Sequence, residues 1–185
     1  DEWELDIVAS GSQKGYMIPP GLSFISMSDK AWRANELSNL PKFYLDLKSY
    51  KKSLINNSNP FTPSVNLMFA LDEALRMMKD EGLENIFQKH ERHKLAVSEA
   101  AKKLNLKLFA SKESLSPSIT AIEAQNFDAE SFRKSIQDKY GIQLAGGQDH
   151  LKGKIFRVGH LGYINDRDII SVITAIGLTL YEKNI

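Results

Sequence analysis

The chain has 185 residues, 42% of them hydrophobic, and its 24 Lys+Arg against 23 Asp+Glu leave a formal charge of +1. That composition fits one ordinary globular domain or two small ones, and it lacks the one-signed field that non-specific nucleic-acid binding needs. The absence of cysteine excludes a disulfide framework, thiolate metal sites and a cysteine nucleophile within these residues, and is compatible with a reducing compartment. The most apolar stretch, 169–181, is interrupted by Ser171, Thr174, Gly177 and Thr179, so no membrane span is expected. The chain opens Asp1-Glu2-Trp3 with neither an initiating Met nor a signal peptide, and is read as a fragment or trimmed product.

Residues 5–9 and 22–27 read as strands flanking the loop Ser10-Gly11-Ser12-Gln13-Lys14-Gly15, the second strand following the stiff Pro19-Pro20-Gly21 turn. They find no obvious partner strands in the chain, and two isolated strands are marginal, so they are expected to belong to a sheet made largely by absent residues or by another chain. Residues 28–52 are polar and mixed, with no regular element assigned, and Lys48, Lys51 and Lys52 are expected on a solvated face. A breaker-rich connection at 56–64 leads to Pro63, which suits the first turn of a helix. Val65, Phe69, Leu71, Leu75 and Met78 then recur at helical spacing and predict a core-facing helix, with Met68 and Met77 in the same stripe. Gly82 breaks the pattern and 86–104 resumes it.

Strands are predicted at 106–110 and 118–123, then a helix over 128–140 capped by Asp128 and ended by Gly141. Two more strands, at 142–145 and 154–158, are separated by a loop in which Gly146-Gly147 makes a turn. A last helix, capped by Asn165 or Asp166, runs to about residue 181. From residue 106 onward the order strand, strand, helix, strand, strand, helix is a small α+β unit.

A lysine directly after a strand, among small residues that let a bulky ligand approach the backbone, can form an imine with an aldehyde cofactor if its surroundings keep it partly deprotonated. On composition and spacing alone an exposed loop lysine is the commoner case. Ser10-Gly11-Ser12-Gln13-Lys14 followed by Pro19-Pro20-Gly21 is more specific than its parts. It resembles the pyridoxal-phosphate lysine motif of the class V aminotransferases, and most nearly that of the alanine–glyoxylate, serine–glyoxylate and serine–pyruvate group. The resemblance implies that Lys14 is the Schiff-base lysine and proton-transfer group, and that Gln13 binds the phosphate of pyridoxal 5'-phosphate. Asn59-Pro60-Phe61-Thr62 stands where the family has a Tyr-x-x-Thr segment reaching across a homodimer to the neighbouring subunit's phosphate. Thr62 matches the threonine, and Asn59 stands in place of the tyrosine, which makes both expected contacts of the cofactor phosphate. Phe156-Arg157-Val158-Gly159-His160-Leu161-Gly162 is similar to the family strand whose arginine binds the substrate α-carboxylate, so Arg157 is assigned that role.

The resemblance runs over essentially the whole chain and implies the α/β, C-terminal part of a fold type I pyridoxal-phosphate transferase. Residues 1–64 would belong to the large cofactor domain, 65–104 to linking helices and 105–185 to a small α+β domain. It implies transfer of an amino group from alanine or serine to a 2-oxo acid such as glyoxylate or pyruvate, in the cytoplasm or a reducing organelle. The aspartate that pairs with the pyridine nitrogen, and the aromatic that stacks on the ring, would precede Lys14, so the 185 residues alone are not expected to turn over. Cyanobacterial members of the group carry the label of a soluble-hydrogenase small subunit, which supplies the alternative of a non-catalytic subunit in a larger assembly. With no cysteine, nothing here ligates nickel or an iron–sulfur cluster in the usual way. No metal site is expected. His90 and His93 lack the spacing of a zinc-protease motif and are assigned to a solvated helix face, whereas His150 and His160 could approach the substrate mouth.

Overall fold

The apolar runs on either side of the Gly/Ser loop form β1 (Ile7–Gly11) and β2 (Ser23–Met27). They pair antiparallel with each other, from Ile7 opposite Met27 to Gly11 opposite Ser23. They form a two-stranded sheet with no further partner strand among the described residues, and Ile7, Val8 and Ile25 stay exposed on it. This computed structural model describes residues 2–185, in two compact units that meet between Met77 and Met78.

In the first unit, 28–52 is more regular than its mixed composition implied. Helix α1 (Asp29–Leu37) begins at Ser28, whose hydroxyl accepts from Ala31 N–H and donates to Asp6 at 2.7 Å. Helix α2 (Leu47–Ile55) is capped by Asp46 and buries none of its residues. Both helices are short, and their caps rather than an apolar stripe define them, which is why hydrophobic periodicity passes over them. As expected, the lysines of α2 are solvated, with Lys51 lying 4.3 Å from the Trp32 ring centroid.

Helix α3 (Val65–Glu81) starts after Pro63, its first turn closed by Met68 N–H to the Ser64 carbonyl. Its stripe is not a core face in this chain: Ala74 alone is buried, Phe69 is 73% exposed, and Met68 is exposed too. The periodicity marks a helix, but it does not say what covers the stripe. Gly82, at φ 84°, separates α3 from α4 (Leu83–Lys103).

The second unit begins at Met78, and from Lys107 onward it has the expected order strand, strand, helix, strand, strand, helix. A four-stranded antiparallel sheet runs in the order β3 (Lys107–Leu108), β4 (Ile119–Glu123), β6 (Ile155–Gly159), β5 (Ala145–Gly146). Helices α4, α5 (Ala129–Tyr140) and α6 (Asp166–Glu182) supply Val97, Ala101, Phe132, Ile136, Val172 and Ile176 to a core shared with Ile122, Phe156 and Val158 of the sheet. Asp128 caps α5 by accepting from Ser131 N–H, and Gly141 ends it at φ 68°. Asn165 caps α6 in a reciprocal box with Asp168. The strand expected at 142–145 is only the pair Ala145–Gly146, at the sheet edge. No helix among the described residues is long and apolar enough to cross a membrane.

Candidate functional site

Lys14 and Gln13 lie exposed on the turn that leaves β1. The turn is locked by Ser12, which is fully buried. Its N–H donates to the Leu22 carbonyl at 3.0 Å, its hydroxyl donates to the Pro19 carbonyl at 2.8 Å, and that hydroxyl accepts from Leu22 N–H at 3.2 Å. One small side chain therefore staples both ends of the connection, and Ile18 N–H adds a bond to the Ser12 carbonyl at 3.4 Å. Met17 is held at φ 62°, a left-handed conformation that costs a non-glycine residue about 1 kcal/mol, by its N–H to the Lys14 carbonyl at 3.0 Å. A Cβ on Gly11 would lie 2.9 Å from Gln13 Oε1, the end of an exposed side chain that can turn aside. Along the sequence Ser12 stands out only as one of the small residues of the motif. A serine flanked by Gly11 and followed by Pro19 was the available signal, but its bonds cross a ten-residue gap.

Asn59 and Thr62 share an exposed connector. Between them Phe61 is held by three rings: Tyr44 at 4.8 Å, Phe43 at 5.4 Å and Tyr50 at 6.3 Å between centroids. Burial, and then the adjacent Tyr44, raises the Tyr50 phenol above its ordinary 10.0. This cluster anchors the connector through Phe61 and leaves the Thr62 hydroxyl with no protein partner among the described residues.

Arg157 occupies the middle of β6, with Ala121 opposite it on β4 and Ala145 on β5. Phe156 and Val158 point into the helix-covered core, so by strand alternation Arg157 faces the other side. Small residues on both neighbouring strands leave space for its long side chain. Its Nε–H donates to the Gly146 carbonyl at 2.9 Å, and its terminal nitrogens have no protein partner among the described residues. A guanidinium oriented this way presents an unspent pair of N–H donors suited to a carboxylate. Gly146-Gly147 is not a simple turn. Gly146 belongs to β5, and a Cβ on Gly147 would lie 2.0 Å from the Leu151 carbonyl oxygen.

Gln13, Lys14, Asn59 and Thr62 belong to the first unit and Arg157 to the second. The second unit also corrects the histidine readings. His93 is 2% exposed, its Nε2 2.8 Å from an Asp166 oxygen that Arg92 also reaches at 2.8 Å. Arg92, and then His93, holds the Asp166 carboxyl below its ordinary 3.8. His90 is half-buried. Its Nδ1 lies 2.7 Å from the Ile86 carbonyl and its Nε2 accepts from Gly162 N–H at 3.3 Å. Helix packing of α4 against α6, which local periodicity cannot report, draws both rings inward. His160 is fully buried and does not line an open mouth. Its Nδ1 donates to the Pro117 carbonyl at 3.0 Å and its Nε2 accepts from the Thr120 hydroxyl at 2.9 Å. Burial pushes its pKa below 6.5.

The family model described as Aminotransferase class-V matches residues 1–161. The small subunit of the soluble hydrogenase of Synechococcus sp. is 56% identical over 98% of this chain and 47% of its own length. The L-aspartate–glyoxylate aminotransferase of Paracoccus denitrificans is 36% identical over 98% of this chain and 46% of its own. The crystal structure of ureidoglycine–glyoxylate aminotransferase from Bacillus subtilis superposes with a TM-score of 0.91 at 28% identity, covering 100% of this chain and 49% of that one. The chain thus spans about half the length of the relatives it matches, and its fold is the one expected from the resemblance.

Proposed function

Because the chain belongs to the class V aminotransferases, we propose that it supplies the lysine turn and the carboxylate-binding strand of a pyridoxal-phosphate-dependent aminotransferase acting on a small amino acid and a 2-oxo acid. The observation that carries this reading is the Ser12-stapled turn, which presents Lys14 exposed directly after β1. The donor chemistry fits the cofactor: a primary amine for its aldehyde, and the Gln13 amide and unpartnered Thr62 hydroxyl as donors for its phosphate. When bound, the cofactor supplies the electron sink that makes the substrate Cα–H acidic.

In this reading the Lys14 amine carries the proton between carbon atoms, as base and then as acid. The Arg157 guanidinium holds the substrate carboxylate end-on through its two terminal nitrogens, its Nε being spent on Gly146. Holding the carboxylate fixes the Cα–H direction, and because the contact persists from ground state to transition state its loss is read mainly in KM. Thr62 reaches a second copy's phosphate in a homodimer, with Phe61 and its three rings setting the reach of the connector. The large cofactor domain would extend to about residue 64, with linking helices to 104 and the small domain beyond.

The test is to load the full-length protein with pyridoxal phosphate, reduce with borohydride and map the labelled peptide by mass spectrometry. Stoichiometric label on Lys14 is expected. Label scattered over the surface lysines overturns the assignment. The names of the relatives in Synechococcus sp. and Anabaena cylindrica, each 56% identical, favour a second reading as a subunit of a larger assembly. Stable co-purification with a partner, without Lys14 labelling, would select it.

A further inference from the structure

Arg157 can select a carboxylate only if its guanidinium plane is fixed, and its one protein anchor is the Gly146 carbonyl. That carbonyl belongs to β5, a two-residue strand at the sheet edge, which is a weak anchor by itself. The segment has a second attachment, on α5. Arg133 donates from Nε to the Leu144 carbonyl at 2.8 Å and from Nη1 to Glu130 Oε2 at 2.7 Å. The pair is pressed against the backbone: a Cβ on Gly146 would lie 2.5 Å from Glu130 Oε1 and 2.8 Å from Arg133 Nη1. Glu130 Oε1 is buried with no hydrogen-bond partner. That one oxygen has given up solvation that a swing outward would restore, while 38% of the side chain stays exposed and Oε2 keeps its partner Arg133.

We propose that Arg133 and Glu130 are positioning residues for Arg157, acting through residues 144–146. The α5 ion pair fixes the backbone from one side, the Gly146 carbonyl fixes the Arg157 Nε–H from the other, and the terminal nitrogens are left aligned for the substrate carboxylate. Glycine at 146 is what allows the pair to lie close enough. This inference rests on the reading of Arg157 as the carboxylate group.

The experiment is a double-mutant cycle in the full-length, cofactor-loaded protein. Arg133→Lys keeps the charge but loses the planar fork, so KM for both the amino acid and the 2-oxo acid should rise about tenfold, the worth of one such bond, with kcat within about twofold. In an Arg157→Gln background the same substitution should no longer move KM. An unchanged KM for Arg133→Lys, or an effect that simply adds to that of Arg157→Gln, overturns the positioning role while leaving Arg157 in place. An unchanged KM for Arg157→Gln itself overturns the carboxylate reading instead. Should the Arg133 variants not fold, Gly146→Ala reads the same contact from the backbone side. Its KM should rise in the wild-type background and not in the Arg157→Gln background, and an unchanged KM overturns the proposal.

Discussion

Ser12→Ala removes a hydroxyl that is fully buried and makes two hydrogen bonds, to the Pro19 carbonyl at 2.8 Å and from Leu22 N–H at 3.2 Å. The methyl fits the same space, so the change strips bonds without creating a large cavity. At about 1 kcal/mol per bond the connection from residue 12 to 22 loses roughly 2 kcal/mol of local stability, with the Leu22 amide and Pro19 carbonyl left to find water. Opening of the turn should then become about 30-fold more frequent. Amide hydrogen exchange of the full-length protein reads this directly, because the Leu22 N–H is one of the broken bonds and the Ser12 N–H, bonded to the Leu22 carbonyl at 3.0 Å, reports on its partner. Faster exchange should be confined to 12–22 and absent from the second unit, whose core shares no residue with this turn. If both amides in Ser12→Ala exchange as in the wild type, the turn is held by something other than Ser12, and the account of how Lys14 is presented is wrong.

His160 makes a further case. Its folded pKa lies below 6.5 because burial disfavours the imidazolium, so between the two values the unfolded chain binds more protons and stability rises with pH. Acidification from pH 7 toward 5 should therefore lower the urea midpoint of the wild type more than that of His160→Gln, and equal pH slopes would refute this. Gly141 sits at φ 68° with nothing within 4 Å of where a Cβ would lie, so Gly141→Ala should cost about 1 kcal/mol from backbone conformation alone. Gly141→Asn should cost less in the same denaturation experiment, and an equal cost would mean that side-chain crowding, not backbone conformation, is at issue.

Residues 106–182 were the most legible part of the chain. Asp128, Gly141 and Asn165 act through bonds to residues within one turn, so their positions along the sequence carry the whole argument. The strand that carries Arg157, expected at 154–158 and found at Ile155–Gly159, was legible from its short apolar run. Helices α1 and α2 were not, because nine residues each with hardly any buried face give periodicity nothing to detect. The histidines failed differently. The spacing of His90 and His93 is the same on a wet or a dry helix face, and only the arrival of α6 with Asp166 decides which it is.

The sequence by itself determined the local chemistry: the Lys14 motif between two strands, the helix caps, the breaks at Gly82 and Gly141, and the arginine between Phe156 and Val158. These follow from dihedral preferences and short-range hydrogen bonds, which depend on neighbours in the chain. Tertiary structure alone decided that Ser12 staples the lysine turn across to Pro19 and Leu22, that β5 shrinks to two residues, and that Arg133 and Glu130 stand behind the carbonyl holding Arg157. Each joins residues brought together by folding, and no pattern along the chain encodes a contact whose partner is fixed only when the sheet and helices pack.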